Sequence, residues 1–182
     1  MKSLQGQLLI ASPKLLDPNF FRAVVLIVQH NDEGALGLIL NRPLETTIQM
    51  VWDQVSESYC ASEAPLHQGG PCEGPLMVLH GDEALGQIPV LPGVYFSTDK
   101  ETVEEIVSSR EDNVRFFVGY SGWGGGQLEA EIESGAWLAA AAGEHVFAET
   151  QNLWDTLRRR IMLMTAYPWL KPEMIPDDPS SN

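Results

Sequence analysis

The chain has 182 residues, with an apolar fraction of 44%, a charged fraction of 20% and a formal net charge of -14. Its length fits one domain, and the apolar content is sufficient for a hydrophobic core. A strongly acidic surface repels phosphate backbones and anionic lipids, so the composition disfavours direct nucleic-acid binding and membrane binding. Cys60 and Cys72 are too few and too far apart for a disulfide scaffold or a CxxC redox motif, and a reducing cytoplasmic location is expected.

The first part of the chain predicts a hairpin. Gln7–Ala11 has the apolar content of a first strand, and Ala23–Gln29 is a continuous apolar run typical of a central strand. Residues 30–34 form the predicted turn, and Ala35–Leu40 returns as the next strand. The N-terminal apolar run is too short for a signal peptide, and no run in the chain has the length of a membrane span.

The middle of the chain predicts two amphipathic helices separated by loops and short strands. The first helix, Ile48–Ser56, follows a threonine cap, and the second, Glu101–Ser109, follows Asp99 as its cap. The segment between them includes a long loop at 57–75, which is a second candidate for the lining of a pocket. The remaining predictions are strands at 76–80 and 94–97 and a loop at 81–92.

Four glycines separate a strong strand signal from a helix start between residues 115 and 137. Val114–Tyr120 is rich in β-branched and aromatic residues, as expected of a pleated strand. Gly122–Gly126 permits positive φ angles and close backbone approach, and Gln127–Glu133 resumes as a helix with acidic residues in its first turns. In this glycine-rich turn the backbone most easily approaches a ligand.

Three interpretations of the glycine-rich turn compete. A phosphate-binding loop needs lysine and then Ser or Thr after its last glycine, but Gln127 and Leu128 follow here, and the glycine spacing is GxGxG rather than GxGxxG. A nucleophile elbow at Ser121 needs glycine where Trp123 stands, and the only downstream histidine is His145. The sequence favours the third interpretation, in which small residues let Trp123 pack under the sheet while the chain turns.

The C-terminal part predicts a strand at 136–140, a short strand or turn at 145–148, and a last helix at 150–164. The apolar stripe of this helix is more typical of core packing than of a cofactor site. A proline-containing tail at 171–182 is expected to be extended or disordered. We therefore expect a single domain over residues 1–170.

Polar side chains stand at the ends of three predicted apolar strands. They are His30, Asn41 and His80, and their convergence near Gln127 and Glu129 would form the polar rim of a small-ligand pocket. The alternative is that each side chain hydrogen-bonds to a loop backbone and pins a turn, and the usual role of buried polar groups favours it. No metal-ligand spacing or cofactor motif accompanies these residues, so neither a metal nor a cofactor is expected.

Several short motifs occur in a fixed order up to about residue 165. They are Gly6 with LLIASP, Asp17-Pro18 with Phe20 or Phe21, QHNDEGALGLILNRPL at 29–44, GGP at 69–71, Leu79-His80, and GYSGWGGGQLEAEI at 119–132 followed by AW ending at Trp137. Together these motifs resemble those of the AlgH/YqgE family of bacterial proteins. The resemblance implies an α+β fold, in which a bifurcated mixed β-sheet curls into a pseudo-barrel with flanking helices, and a cytosolic protein without an established biochemical activity.

These observations favour a non-catalytic module that binds a small molecule or a protein partner, with a regulatory role. The alternative is an enzyme acting on a small molecule, with its site near His30, His80 and the Gly122–Gly126 turn. A transcriptional regulator acting without direct DNA contact ranks below both, because the acidic charge does not support DNA binding. The family assigns no catalytic role to the matching residues. The candidate pocket residues are His30, Asn41, Gly69, Gly70, His80, Tyr120, Trp123, Gly124, Gln127 and Glu129.

Overall fold

The computed structural model of the chain describes residues 3–109, 112–148, 150–171 and 174–175. Within these ranges the chain forms eleven β-strands, four α-helices and two short 3-10 helices. The strands are β1 Gln7–Ala11, β2 Val24–Asn31, β3 Gly34–Ile39, β4 Pro43–Thr47, β5 Pro65–Gln68, β6 Met77–His80, β7 Ile88–Leu91, β8 Val94–Ser97, β9 Val114–Val118, β10 Ser121–Gly124 and β11 Trp137–Ala141. The α-helices are α1 Ile48–Val55, α2 Lys100–Ser108, α3 Gln127–Glu133 and α4 Leu153–Ala166, and the 3-10 helices are Pro18–Phe20 and Gly143–Val146.

The strands form two open sheets. Sheet 1 has the order β10-β3-β2-β1-β11, and all its neighbouring strands are antiparallel. Sheet 2 has the order β4-β5-β9-β6-β8-β7 and contains one parallel pair, β5 with β9. The predicted α+β class with mixed strand pairing is confirmed. The sheets are not closed into a barrel, because each keeps two edge strands.

The two sheets are joined where the chain passes from one to the other. β3 of sheet 1 leads into β4 of sheet 2, and β9 of sheet 2 leads into β10 of sheet 1. At this crossing the Gly69 carbonyl accepts a hydrogen bond from the Ile39 amide at 2.9 Å, and the Gly69 amide donates to the Val118 carbonyl at 2.9 Å. Cys72 and Tyr120 exchange two backbone hydrogen bonds of 3.0 Å beside it. We call this group of contacts the junction of the two sheets, and it accounts for the bifurcation that the family resemblance implies.

Hydrophobic clusters cover both faces of both sheets. One cluster joins sheet 1, sheet 2 and α4, and includes Leu26, Phe117 and Trp154. A second packs Trp123 and Trp137 with α3 on the outer face of sheet 1, and a third packs α1 and α2 on the outer face of sheet 2. Double-sided burial explains why β2 is a continuous apolar run rather than an alternating one. No helix in the described part of the chain is long and apolar enough to cross a membrane.

The helix caps follow the sequence prediction. The Thr47 hydroxyl accepts a hydrogen bond from the Met50 amide at 3.3 Å at the start of α1. At the start of α2, the Asp99 carboxylate accepts one from the Thr102 amide at 3.1 Å. Both helices begin and end within about one residue of the predicted positions, because short polar caps compete well for the free amides of a first turn.

Four short strands were not predicted. β5 lies in the predicted 57–75 loop, β7 in the 81–92 loop, β4 directly after the hairpin, and β10 in the glycine-rich turn. None of the four has an extended apolar run. β4, β5 and β10 pair with strands distant in sequence, such as β3 for β10, whereas β7 pairs with its sequence neighbour β8. The predicted strand or turn at 145–148 instead begins within a 3-10 helix. Of the predicted tail, residues 172, 173 and 176–182 lie outside the described ranges.

Gly70 lies where the two crossing segments touch. A Cβ atom at this position would stand 2.3 Å from the carbonyl carbon of Tyr120 and 2.4 Å from the Ser121 hydroxyl oxygen. The Tyr120 contact is with backbone, which cannot move without shifting the junction. Gly124 contrasts with Gly70, because its added Cβ would meet only the Gln127 side-chain oxygen, at 3.9 Å.

We expect Gly70→Ala to lower the free energy of unfolding by about 3 kcal/mol or more, because the new methyl group overpacks the junction. Gly124→Ala is the matched control and is expected to change it by less than about 1 kcal/mol. Urea unfolding followed by circular dichroism measures both values. Equal stabilities for the two variants would contradict the steric account of the junction.

Candidate functional site

His30 and Glu129 form a hydrogen-bonded pair on the outer side of sheet 1. The His30 Nε2 atom lies 2.8 Å from Glu129 Oε1, and the Leu4 amide donates to His30 Nδ1 at 3.0 Å. Because Nδ1 accepts a hydrogen bond, its lone pair is occupied and the ring proton belongs on Nε2. His30 is therefore a neutral histidine that donates to the carboxylate. Both ring nitrogens are used inside the protein, which leaves no free base.

Glu131 connects two tryptophans through one carboxylate oxygen. Glu131 Oε2 accepts hydrogen bonds from Trp123 Nε1 at 2.9 Å and from Trp137 Nε1 at 2.8 Å. Its other oxygen accepts from the Gln127 side-chain amide at 2.9 Å, and the Gln127 oxygen in turn accepts from the Gly124 amide at 3.1 Å. We call Trp123, Trp137, Glu131 and Gln127 the tryptophan clamp. The Gly124 amide is thus committed to Gln127 and not directed at a ligand.

Phe20 completes the aromatic side of the tryptophan clamp. Its ring centroid lies 6.0 Å from Trp123 in a stacked arrangement and 5.3 Å from Trp137 in an edge arrangement. The two indole centroids are themselves 6.0 Å apart. Aromatic pairs in these geometries add to the hydrophobic stabilisation of the cluster. The sequence interpretation in which Trp123 packs against the sheet agrees with this arrangement.

The other predicted pocket residues lie apart from His30 and Glu129. Asn41 Oδ1 accepts from the Val24 amide at 2.8 Å, and its amide group donates to the Arg22 carbonyl at 2.8 Å, so Asn41 pins a turn. His80 is on β6 of sheet 2, fully buried, with Nε2 3.0 Å from the Ser97 hydroxyl oxygen. The structure therefore brings together His30, Trp123, Gly124, Gln127 and Glu129, while Asn41, Gly69, Gly70, His80 and Tyr120 lie elsewhere.

Ser121 has the environment of a structural side chain. It is fully buried, and its hydroxyl donates to the Gly69 carbonyl at 3.0 Å across the junction of the two sheets. A nucleophilic serine needs a base within hydrogen-bond reach and an open approach for substrate. The described contacts of Ser121 include neither feature.

A cavity of about 270 Å³ lies where residues 12–15 and 21–22 meet the start of α4. Its floor is the ring of Trp154, whose indole N–H donates to the Ala11 carbonyl at 2.8 Å. The Cζ atoms of Arg22 and Arg158 lie 5.0 Å and 5.3 Å from the Trp154 ring. We call this space the arginine cavity. It is lined by Ser12, Pro13, Leu15, Phe21, Arg22, Trp154, Asp155 and Arg158.

Arg22 is held in an uncommon backbone conformation beside the arginine cavity. Its φ angle is +53°, in the left-handed region that L-residues other than Asn and Asp rarely adopt. Asn41 donates to the Arg22 carbonyl, and the Arg42 guanidinium donates to the Phe21 carbonyl at 2.6 Å. Such strained residues concentrate at functional sites, where the surrounding structure maintains them. Sequence reasoning missed the arginine cavity, because no local signal predicts a left-handed arginine.

A second cavity of about 290 Å³ separates α1 from α2 and has a mostly apolar lining. Lys100 is its basic residue, and Trp52 is a buried part of its wall. Among the described residues, no group of three or more His, Cys, Asp or Glu side chains is arranged to hold a metal ion. The lining of the second cavity consists of Trp52, Val55, Ser56, Pro75, Leu76, Thr98, Lys100 and Val103.

His67 and Arg115 are buried polar residues of sheet 2. His67 on β5 is 5% exposed and Arg115 on β9 is 7% exposed. Burial, and next the positive charge of Arg115, lower the pKa of His67 to about 4, against a smaller opposing effect from the Pro65 and Phe116 carbonyls. Burial also lowers the pKa of Arg115 to about 10. At neutral pH His67 is therefore neutral and Arg115 remains charged.

Removal of the Glu131 carboxylate should destabilise the tryptophan clamp. Glu131→Ala leaves two indole N–H groups, of Trp123 and Trp137, buried without their acceptor, and we expect a loss of about 2 to 4 kcal/mol in the free energy of unfolding. Glu133→Ala, on the exposed side of the same helix, should change it by less than about 0.5 kcal/mol. Urea unfolding followed by tryptophan fluorescence tests the pair. Equal free energies of unfolding for Glu131→Ala and Glu133→Ala would show that the tryptophan clamp does not stabilise the protein.

His67 should make the stability of the protein depend on pH. The unfolded histidine has a pKa near 6.5 and the folded one about 4, so stability is full above pH 6.5 and falls as the pH drops towards 4. Between pH 7 and pH 5, we expect His67 to account for a loss of about 2 kcal/mol. Both pH values lie above the pI of about 4.5.

The measurement is the difference in unfolding free energy between the wild-type protein and His67→Phe at each pH. This difference removes the contribution of the carboxylates, which titrate in both proteins. It should shift by about 2 kcal/mol in favour of His67→Phe at pH 5. A difference that is independent of pH would contradict the assignment of His67 as a buried neutral histidine.

Comparison with known proteins places these observations in a family. The sequence model of the family described as AlgH-like matches residues 8–165. A UPF0301 protein of Chlorobaculum tepidum is 42% identical over 161 residues, which cover 82% of each chain. A UPF0301 protein of Myxococcus xanthus is 38% identical over 165 residues, covering 87% of this chain and 91% of the relative.

Two solved structures are similar to the whole fold. The solution structure of the AlgH protein from Pseudomonas aeruginosa has a TM-score of 0.65 and 28% identity, and the match covers 94% of both chains. The crystal structure of a protein from Corynebacterium diphtheriae has a TM-score of 0.67 and 25% identity, covering 87% of this chain and 88% of the other. Sequence family, relatives and fold agree, and the chain belongs to the AlgH-like family of UPF0301 proteins.

Proposed function

We propose that the protein is a non-catalytic module that binds a small anionic molecule, and that the arginine cavity is its binding site. The observation that carries this proposal is the placement of two guanidinium groups, of Arg22 and Arg158, over the single ring of Trp154 at 5.0 Å and 5.3 Å. In a chain with 25 acidic and 11 basic residues, two arginines at one cavity are a local reversal of charge. A protein of this charge attracts an anion only at such a place.

The charges of the lining indicate the charge of the ligand. Arg22 and Arg158 contribute two positive charges and Asp155 one negative charge, which leaves one positive charge in excess. A carboxylate or another monoanionic group would balance it, and arginine binds such groups through paired N–H donors. The exposed Phe21 ring provides flat apolar surface for the remainder of the ligand. The cavity therefore suits a small, planar, singly charged acid.

The contacts of the polar motif residues favour binding without catalysis. His30 uses both ring nitrogens, the Ser121 hydroxyl is fixed to a carbonyl, and Glu131 accepts from two indoles. General acid–base catalysis needs a group that can exchange a proton with a substrate. A module that binds and releases an unchanged ligand suits a regulatory role. The free thiols of Cys60 and Cys72 support a cytoplasmic setting for it.

Benzoate is a suitable probe, because it is planar and carries one negative charge. We expect it to shift the indole N–H resonance of Trp154 in nuclear magnetic resonance spectra, while benzamide, which has the same shape without the charge, binds at least tenfold more weakly. Arg158→Gln and Arg22→Gly should each weaken benzoate binding by about tenfold, since each removes one guanidinium. Arg22→Gly also accommodates the positive φ angle, so the fold should be retained.

Lys100→Gln is the control for loss of a positive charge, because Lys100 lines the other cavity. It should leave the affinity for benzoate unchanged. Equal responses to benzoate and benzamide, or equal losses in Arg158→Gln and Lys100→Gln, would refute the arginine cavity as an anion site. A flat response to benzoate in the wild-type protein would refute the ligand class.

A further inference from the structure

Strand register places His67 and Arg115 on one face of sheet 2. β5 and β9 are parallel neighbours, and His67 pairs with Phe117, two residues after Arg115. Side chains two residues apart on a strand point to the same side of a sheet. Phe117 lies in the cluster between the sheets, and its ring centroid is 5.6 Å from that of His67. Both polar side chains are therefore directed into the protein interior.

The Arg115 guanidinium is only partly satisfied. Its Nη2 atom donates to the Ala148 carbonyl at 2.6 Å. Its Nη1 atom is buried and has no hydrogen-bond partner. Over the part of the chain that the structure describes, no carboxylate forms an ion pair with Arg115. A buried arginine with a free N–H group and no counter-charge is costly, and such groups require an explanation.

His67 is the second unsatisfied group on this face. Its Nδ1 atom is buried and has no hydrogen-bond partner. After burial, the positive charge of Arg115 is the next cause that lowers the pKa of His67, so the two side chains lie within electrostatic range of each other. A neutral imidazole can carry its proton on Nδ1 and so donate a hydrogen bond there. Arg115 Nη1 is thus a buried donor without an acceptor, and His67 Nδ1 is a second donor in its Nδ1–H tautomer, with the Pro65 and Phe116 carbonyls near the ring but outside hydrogen-bond geometry at Nδ1.

We propose that Arg115 and His67 form an internal site for a small oxyanion, a carboxylate or phosphate-type group. The anion accepts from Arg115 Nη1 and from the N–H tautomer of His67, and its charge balances the guanidinium. Oxyanions are the preferred partners of arginine because their oxygens match its N–H groups. This site is separate from the arginine cavity and does not depend on the function proposed for that cavity.

An anion in this position would be part of the folded structure. It would contact β5 through His67 and β9 through Arg115, and the Arg115 Nη2 atom in turn donates to the Ala148 carbonyl in the segment between the second 3-10 helix and α4. A ligand that binds only the folded state raises the melting temperature with its concentration. The oxyanion would therefore act as a stabilising ligand that ties α4 to sheet 2.

Thermal unfolding in phosphate or acetate, compared with chloride at the same ionic strength, tests the site. The Arg22→Gln/Arg158→Gln protein is used as the background, so that anions bound in the arginine cavity do not contribute. In this background we expect the melting temperature to rise by about 5 to 10 °C at a hundred times the dissociation constant. Adding Arg115→Met should abolish the rise, because Met retains the length of the side chain without the charge.

Nuclear magnetic resonance of the His67 ring provides a second readout in the wild-type protein. Bound anion should raise the pH at which His67 titrates, from about 4 in chloride, since a negative charge favours the imidazolium. Arg115→Lys, which keeps the positive charge, is the variant to use if Arg115→Met does not fold, and it should weaken the response to oxyanion at least tenfold.

Three results would overturn the proposal. The first is a melting temperature that does not respond to oxyanions in the Arg22→Gln/Arg158→Gln background. The second is a response that survives in Arg115→Met. The third is an equal response to chloride and to oxyanions, which would refute the oxyanion class. Failure of benzoate to bind the arginine cavity would leave these results unchanged, because that cavity is absent from the test background.

Discussion

The shared carboxylate of Glu131 is the constraint on which the shape of sheet 1 depends. Trp123 lies on β10 and Trp137 on β11, and these are the two edge strands of that sheet. In a flat five-stranded sheet, the edge strands would be about 19 Å apart. Both indoles nevertheless donate to one oxygen atom, and their centroids are 6.0 Å apart. The sheet must therefore curl strongly towards α3, although it remains open.

The curvature of sheet 1 explains why the glycine-rich motif at 119–132, a candidate ligand site in the sequence, stabilises the fold instead. The glycines of 119–126 let the chain change sheets and bring Trp123 under α3, and the acidic residues that follow accept hydrogen bonds from buried donors. A carboxylate is the acceptor that can satisfy two indoles at once. The residues proposed for ligand binding, Arg22 and Arg158, instead come from a turn and a helix far apart in the chain.

The sequence predicted those features that depend on local chemistry. Asp99 at the start of α2, the apolar run of β2 and the helix after Gly126 all have short-range signals, and each was placed correctly. β5 and β7 have four residues each, too few for a local strand signal, although β9 and β8, with which they pair, were predicted. Contacts between distant parts of the chain also decided the candidate pocket. His30 is hydrogen-bonded to Glu129 as expected, but His80 is hydrogen-bonded to Ser97 in the other sheet. The stacking of Arg22 on Trp154 joins positions 132 residues apart, which no local pattern predicts.

The exchange of strands between the sheets has a consequence for synthesis of the chain. The β1–β2–β3 meander is complete once residue 39 has been made, but the strands that cover its two edges, β10 and β11, end at residues 124 and 141. Until then the nascent meander exposes two unpaired strand edges of apolar sequence, which are templates for pairing with other chains. The N-terminal half is therefore prone to aggregate while the rest of the chain is being synthesised. A chain truncated before β10 would keep both strand edges unpaired.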